Sequence, residues 1–218
     1  MRLVRLFLAF AVLVVLGWSP GAAEASLIVN GSFEDPPFSS GIDYAYIPGG
    51  ETSISGWETI HTGVERIALS TYGGGSGFGS AHDGLVSLDL NTDHGVGGGI
   101  QQSVPTDVGG LYSLTFWQGT YNHHGRDGTS NVIVSAGATT ESFFFENHNP
   151  IIAWGQKTLN FTATSTTTLI SFENFDSPEL NFSHIDNVSI NLVPEPSTAL
   201  LLGIGLVRMS LRKKGRGF

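Results

Sequence analysis

The chain has 218 residues, with 29 glycines, no cysteine and 40% apolar residues, which excludes a disordered chain, disulfides and cysteine-based catalysis or zinc sites. Between Ser26 and Val193 only three residues are basic, against 17 Asp and Glu. Nucleic acid, which requires a basic surface, is therefore excluded as a partner, and a divalent cation or an uncharged or cation-bridged ligand is favoured.

The first 25 residues are predicted to be a removable signal peptide. Arg2 and Arg5 precede the apolar stretch "LFLAFAVLVVL", and the small-x-small pattern ending at Ala25 predicts cleavage before Ser26. The alternative is a retained anchor helix, but the stretch is shorter than the roughly 20 apolar residues that span a bilayer. We therefore expect an exported protein.

Residues 26–192 are predicted to form one all-β domain. In "LVSLDLN", Leu88 and Leu90 share one face and Asp89 lies on the other, and such alternation recurs between glycine-rich and polar turns. No segment shows a helical apolar period. About ten strands in a two-sheet sandwich or jelly roll account for this pattern. The predicted strands are "SLIVN", "WETI", "VERIALS", "LVSLDLN", "IQQSV", "LYSLTFWQ", "NVIVSAG", "SFFFE", "KTLNFTA", "TTLISF" and "IDNVSINL".

Two carboxylates at opposite ends of this domain are candidate metal ligands. Glu34 follows the opening "LIVNGSF", and counting back by two from Leu192 gives Asp186 the parity of the core face. A carboxylate facing a core needs a partner, because its desolvation is costly. Calcium held by carboxylates and carbonyls would supply that partner. The alternative is that Asp186 caps a turn through backbone amides and that Glu34 is solvated.

Several blocks of the domain together resemble a known family. The blocks "LIVNGSFEDP", "GW", "HDGLVSLDLN", "GGIQQSVPT", "YSLTFW", "FTATSTTTLISF" and "IDNVSI" are similar, in this order, to the choice-of-anchor C family. They also resemble related galactose-binding-like domains of plant cell-wall proteins of unknown function. The resemblance implies a β-jelly-roll and a structural calcium joining the first and last strands, with Glu34 and Asp186 as ligands and carbonyls near Ser32 as further ones.

A ligand-binding face is expected where aromatic rings and polar loop residues are exposed. Trp117 lies opposite Leu114 and Phe116 in the strand alternation, so it faces solvent if those two face the core. Trp57 follows Gly56, and its alternative role is a core or rim aromatic. The candidate ligand-binding residues are Trp57, His82, Asp83, Trp117, Tyr121 and His123, with Asn122 and Trp154 as neighbours of the same kind.

No motif indicates catalysis. The glycine loop "YGGGSGFGSAHDG" lacks the Lys-Ser/Thr of a phosphate loop, so nucleotide binding is rejected. His123 and His124 could suggest a transition metal, but no third ligand is evident. The sequence has neither a G-x-S-x-G elbow nor H-E-x-x-H, and pairs of acids are too common here to indicate a glycosidase. We predict a protein that is not an enzyme.

Residues 193–218 are predicted to be a sorting tail. "VPEPST" precedes a nine-residue apolar run and the basic tip "RMSLRKKGR". This order is similar to PEP-CTERM signals, whose motif matches Pro194, Glu195 and Pro196, although the apolar run is short. The resemblance implies a bacterial envelope of the Gram-negative type, processing by an exosortase, transient membrane contact and release to the surface or extracellular matrix.

The sequence leaves two classes of function open. The first is a calcium-stabilised, non-catalytic module that binds polysaccharide, either exopolysaccharide or cell-wall glycan. The second is a structural or adhesive matrix protein that binds another envelope protein. A glycoside-active enzyme is the remaining alternative.

Overall fold

A computed structural model describes residues 26–75, 77–194 and 203–205. Ser26–Leu192 form one compact unit. The predicted signal peptide, and Glu195 and Pro196 of the predicted sorting motif, lie outside the described residues. Among the residues that are described, no helix has the length and apolar character needed to cross a membrane.

The unit is built from β-strands, and the only helical element described within it is the single turn α1 (Tyr72–Gly75). Gly73 and Gly74 in this turn have positive φ. The eleven strands described are β1 (Tyr44–Ile47), β2 (Glu58–His61), β3 (Val64–Ile67), β4 (Ser87–Asp89), β5 (Gly98–Pro105), β6 (Leu111–Thr120), β7 (Thr129–Ala136), β8 (Thr139–Glu146), β9 (Ala153–Thr162), β10 (Thr167–Asn174) and β11 (His184–Leu192).

The strands form two antiparallel sheets that enclose the main core. The six-stranded sheet has the order β1-β3-β4-β11-β6-β9, and the five-stranded sheet has the order β2-β5-β10-β7-β8. The alternation predicted from sequence is confirmed: Leu88, Leu114 and Phe116 are fully buried in the main core, together with Ile170 and Phe172 from the other sheet. The first and last strands of the sandwich therefore lie in the six-stranded sheet.

The opening segment "SLIVN" is not a strand, contrary to prediction. It runs beside β11 and is joined to it by isolated hydrogen bonds. In one of these, the Leu27 amide donates to the Ile190 carbonyl at 3.1 Å. Asn30 and Phe33 have positive φ, which breaks the extended conformation. This course buries Phe33 completely, with its ring centroid 5.3 Å from that of Trp57.

Trp57 belongs to the core, so its prediction as a ligand-binding residue is wrong. Its side chain is 2% exposed, and it packs between Phe33 and Phe172. The indole N–H donates to the Asn30 carbonyl at 3.0 Å. A buried indole with its donor satisfied cannot offer a face for a sugar ring to stack upon.

Asp186 faces away from the main core, and the parity count from Leu192 is wrong. The register of β11 against β6 shifts between Asp186 and Ser189, and Asn187 has φ 48. This β-bulge adds one residue to β11, so that Ile185 and Val188 both face the core. Asp186 instead shares the outer face of the six-stranded sheet with its cross-strand partner Trp117.

The outer face of the six-stranded sheet is covered by a second apolar layer. We call this the outer layer. It consists of Ile67, Leu69, Phe78, Tyr121 and Ile152, with Tyr44, Tyr72, Trp154 and Phe182 packed against it. Because of this cover, the polar side chains that β4 and β11 direct outward are buried, as Asp89 and His184 show at 1% and 0% exposure.

Candidate functional site

One loop, residues 82–86, is held by both predicted calcium ligands. Oδ2 of Asp186 accepts a hydrogen bond from the Asp83 amide at 2.9 Å. Oε1 of Glu34 accepts from the amides of Leu85 and Val86, each at 2.8 Å. The two carboxylates therefore join the opening segment and β11 through the backbone of a third segment.

The Asp186 carboxylate is buried and bound mainly by backbone donors. Its Oδ1 accepts from the Asn187 amide at 2.6 Å, and its side chain is 0% exposed. Burial raises its pKa to about 7, while hydrogen bonds from the amides of Asp83, Asn187 and His82 act in the opposite direction. These hydrogen bonds match the alternative for Asp186, in which its carboxylate caps a turn through backbone amides. Glu34 differs from its alternative, because it is bound to amides rather than solvated.

These residues do not form a preassembled calcium cage. The oxygens named above already accept amide hydrogens, and the described part of the chain contains no group of three His, Cys, Asp or Glu side chains suited to a metal. The cation close to Glu34 is Arg66, whose guanidinium is buried and donates through Nε to the Phe33 carbonyl at 2.9 Å. The calcium clamp stays a prediction.

Three rings form an aromatic platform beside this loop, which we define as His82, Trp117 and Trp154. His82 stacks on Trp117 with ring centroids 3.7 Å apart and an interplanar angle of 16°. The Trp154 ring meets His82 edge-on at 6.2 Å, and its N–H donates to the Ser80 carbonyl. Burial lowers the pKa of His82. Trp117 faces outward as predicted, but His82 covers one face of its ring.

A cleft of about 340 Å³ opens on the same side of the six-stranded sheet, above β3 and β4. The glycine-rich loop contributes two aromatic side chains to it, and the loops after β4, β6 and β10 contribute the remaining walls. The lining residues are Glu65, Ile67, Tyr72, Phe78, Asn91, Asp93, Tyr121, His124, Arg126 and Phe182.

One wall of the cleft is a three-layer stack. The Tyr121 and Phe182 rings lie 4.4 Å apart at 6°, and the Arg126 guanidinium lies 4.2 Å from the Phe182 centroid. Arg126 is fixed by Asp93, at 2.8 Å, and by the Pro178 carbonyl. Tyr121 is the deepest layer at 2% exposure. It also lines the cleft, and its assignment as a ligand-binding residue stays a prediction.

Two carboxylates lie side by side on neighbouring strands at this face of the sheet, and of the two only Glu65 lines the cleft. Glu65 and Asp89 are cross-strand partners, and both are buried. Glu65 accepts the Asp93 amide at 3.1 Å and a hydrogen bond from the Tyr44 hydroxyl. Burial raises the pKa of each carboxyl to about 7, and the charge of Asp89 raises that of Glu65 further.

The remaining predicted residues divide between the platform and the cleft. Asp83 is exposed next to the platform, where its carboxylate accepts a hydrogen bond from the Ser32 hydroxyl at 2.5 Å. His123 packs edge-on against Phe78 at 4.8 Å, at the side of the cleft, and its neighbour His124 lines it. Among the described residues the pair gains no third metal ligand.

Sequence reasoning missed most of the cleft. Glu65, Asp93, Phe78 and Phe182 come from four separate segments, and nothing local in the sequence joins them. One signal was present: Arg126 is one of only three basic residues between Ser26 and Val193. A scarce cation inside a polar loop is a candidate for a specific pairing.

The fold and the cleft define an all-β jelly-roll sandwich with a polar and aromatic cleft on one sheet face, as predicted for the fold class. The family described as "Protein of unknown function (DUF642)" matches residues 26–191, and the chain belongs to that family. A search of curated proteins found no match.

Several solved structures are similar in fold. TmCBM61 in complex with beta-1,4-galactotriose has 16% identity and a TM-score of 0.49, covering 78% of this chain and 100% of that chain. A family 35 carbohydrate binding module from Clostridium thermocellum has 16% identity and a TM-score of 0.38, covering 51% of this chain and 82% of that chain. Arabinose-bound MgGH51 a-L-arabinofuranosidase has 11% identity and a TM-score of 0.49, covering 80% of this chain and 27% of that chain.

Proposed function

We propose that this protein binds carbohydrate, without catalysis, in the cleft on the outer face of the six-stranded sheet. The observation that carries the proposal is the composition of the cleft, whose lining combines the aromatic residue Tyr72 with the hydrogen-bonding side chains of Asn91, Asp93 and Arg126. Sugars are recognised in proteins by this combination, because their rings present an apolar face and an edge of hydroxyl groups.

The rigidity of the polar groups supports binding of a ligand of this kind. Arg126 is held by an ion pair, a carbonyl and a ring, and Asn91 donates to the Asn181 carbonyl at 2.8 Å. Groups that are already fixed lose little side-chain entropy when a ligand arrives. The cleft volume of about 340 Å³ is within the usual range of small-ligand sites.

Export, sorting and the wider role are expectations from the sequence, and we include them in the same proposal. The signal peptide directs the chain out of the cytoplasm, and the PEP-CTERM-like tail directs exosortase processing at a bacterial envelope. The polysaccharide ligand would then be an exopolysaccharide or cell-wall glycan, with calcium as a structural ion at the loop 82–86 clamp. Mass spectrometry of the protein recovered from an exporting host would give both cleavage points.

The proposal is tested by binding of the purified Ser26–Leu192 unit to a panel of polysaccharides and oligosaccharides, β-1,4-galactotriose included. Tyr72→Ala should weaken binding of the retained sugar by about tenfold, since stacking on an aromatic ring contributes a free energy on this scale. Phe144→Ala is the matched control, because Phe144 is 57% exposed on β8 of the other sheet.

Four results would contradict the proposal. Release of reducing ends from the retained sugar would indicate an enzyme. Equal loss of binding in Tyr72→Ala and Phe144→Ala would show that the cleft is not the binding site. Loss of binding in Trp117→Ala alone would indicate that the sugar binds at the aromatic platform. No retention on any sugar by the folded unit would favour the alternative of an envelope-protein partner.

A further inference from the structure

The cleft carries more negative than positive fixed charge. Glu65 and Asp93 line it, and Asp89 lies beside Glu65 across the sheet. Within residues 26–194 the only basic side chains besides Arg126 are Arg66 and Lys157. Those two are engaged elsewhere, Arg66 with the Phe33 carbonyl and Lys157 with the Phe144 carbonyl.

Arg126 forms its direct ion pair with Asp93 and not with Glu65 or Asp89, although its charge lowers the pKa of Asp89. Its Nη2 pairs with Asp93, its Nε donates to the Pro178 carbonyl, and its plane covers the Phe182 ring. Oδ2 of Asp89 is buried without a hydrogen-bond partner. Among the described residues Glu65 has no ion pair, and the His184 ring, 3.6 Å from Asp89, is kept uncharged by burial. A buried carboxylate without a paired counter-charge is a costly arrangement.

Three tyrosines lie close enough to these carboxylates to interact with their charge. The pKa of Tyr44, Tyr72 and Tyr121 is raised in each case, first by burial and then by nearby carboxylates, with Glu65 contributing to all three. A ligand with its own negative charge would meet the field of these carboxylates unfavourably, because the repulsion acts in a partly water-excluded space. A ligand with a positive charge would relieve it.

We infer that the cleft prefers a glycan that carries free ammonium groups, such as a polymer or oligomer of glucosamine, over neutral, N-acetylated or acidic glycans. This inference rests on the proposed function, and it adds the charge class of the ligand. The sugar ring would lie beside Tyr72, and its ammonium would approach Glu65 and Asp93, the two acids that line the cleft. An ammonium is also attracted to aromatic faces.

The test compares three matched soluble ligands by calorimetry in physiological salt: a glucosamine trimer, its N-acetylated form, and a trimer of glucose. We expect the glucosamine trimer to bind at least about tenfold more tightly than the other two, as charge pairing in a partly buried site allows. Short oligomers in salt are used because an acidic domain attracts any long cationic polymer without specificity.

Two variants separate the cleft from general charge. Glu65→Gln and Asp93→Asn should each reduce binding of the glucosamine trimer, whereas Glu141→Gln, an equal charge change at an exposed position on β8, should leave it unchanged. Asp93 is exposed, so Asp93→Asn remains informative if Glu65→Gln fails to fold.

The outcomes distinguish the inference from the proposed function. Equal or tighter binding of the glucose or N-acetylated trimer would overturn the charge preference and leave carbohydrate binding intact. Equal loss in Glu65→Gln and Glu141→Gln would show that the attraction is general. Failure of all three trimers and of the polysaccharide panel would overturn both.

Discussion

Oδ2 of Asp89 and Nε2 of His184 lie 3.6 Å apart on neighbouring strands, and neither atom has a hydrogen-bond partner. The separation exceeds a hydrogen bond. The other ring nitrogen of His184 lies 3.2 Å from the Ser87 hydroxyl, and Oδ1 of Asp89 accepts the Ser183 amide. Burial raises the pKa of Asp89 to about 7 and lowers that of His184 to about 3, so the fold favours the uncharged form of each.

We predict that the domain is more stable at pH 5 than at pH 8. Glu65, Asp89 and Asp186 have folded pKa values of about 7, above their ordinary values, so the folded state holds more protons and stability falls as pH rises from about 4 to 7. His184 acts in the opposite direction below pH 6.5 but is a single group. The expected difference is on the order of 1–3 kcal/mol by urea unfolding. Greater stability at pH 8 would contradict the assignment.

Asp89→Asn should stabilise the domain at pH 8. The amide oxygen can still accept from the Asn91 and Ser183 amides, and the new amide N–H₂ can donate to Nε2 of His184. Removing a buried charge and adding one hydrogen bond should raise the free energy of unfolding by about 1 kcal/mol, with a smaller pH dependence. Asp127→Asn, at an exposed position, is the control. A lower melting temperature for Asp89→Asn would argue against this geometry.

Asp186→Ala should destabilise the domain by about 2–4 kcal/mol, since it leaves the amides of Asp83 and Asn187 without their acceptor. Glu141→Ala serves as the control. The same melting curves with calcium and with EDTA test the predicted ion. Calcium would raise the melting temperature of the native domain and leave Asp186→Ala unchanged. If neither calcium nor EDTA changes the melting temperature of the native domain, the prediction of calcium at this site is wrong.

Gly84→Ala should be more damaging than Gly109→Ala. Both glycines have positive φ, at +69 and +84, so each substitution strains the backbone by about 1 kcal/mol. A Cβ at Gly84 would also collide with the Glu34 carboxylate, whereas a Cβ at Gly109 meets nothing within 4 Å. The difference between the two in urea unfolding therefore measures the contact of Glu34 with loop 82–86. Equal effects would mean that this contact contributes little.

Trp117→Ala should raise the pKa of His82 toward its ordinary value, because His82 stacks on Trp117 and burial is the main cause of its lowered pKa. Titration followed by NMR of the histidine ring would measure this change. Phe144→Ala, which removes an aromatic ring on the other sheet, should leave the His82 titration as it was. An unaltered pKa in Trp117→Ala would show that the loop itself, not the indole, shields the imidazole.

The alternation of apolar residues was sufficient to predict the sandwich and the inward faces of β4 and β6. Side chains of a regular strand alternate between two faces, so a local pattern decides the orientation of Leu88 and Asp89 without knowledge of the rest of the fold. The same rule failed for Asp186, because the bulge at Asn187 depends on the pairing of β11 with β6. The opening segment failed for a related reason, since positive φ at Asn30 and Phe33 stops strand pairing.

The sequence by itself determined an acidic all-β domain and the scarcity of cations. These properties follow from composition and from a period of two residues, both of which are local. Only the tertiary structure decided that Tyr121 is buried, that His82 covers Trp117, and that Glu65 and Asp93 share a cleft with Arg126. Such contacts join residues far apart in the chain, and they depend on how the loops pack over the outer face of the sheet.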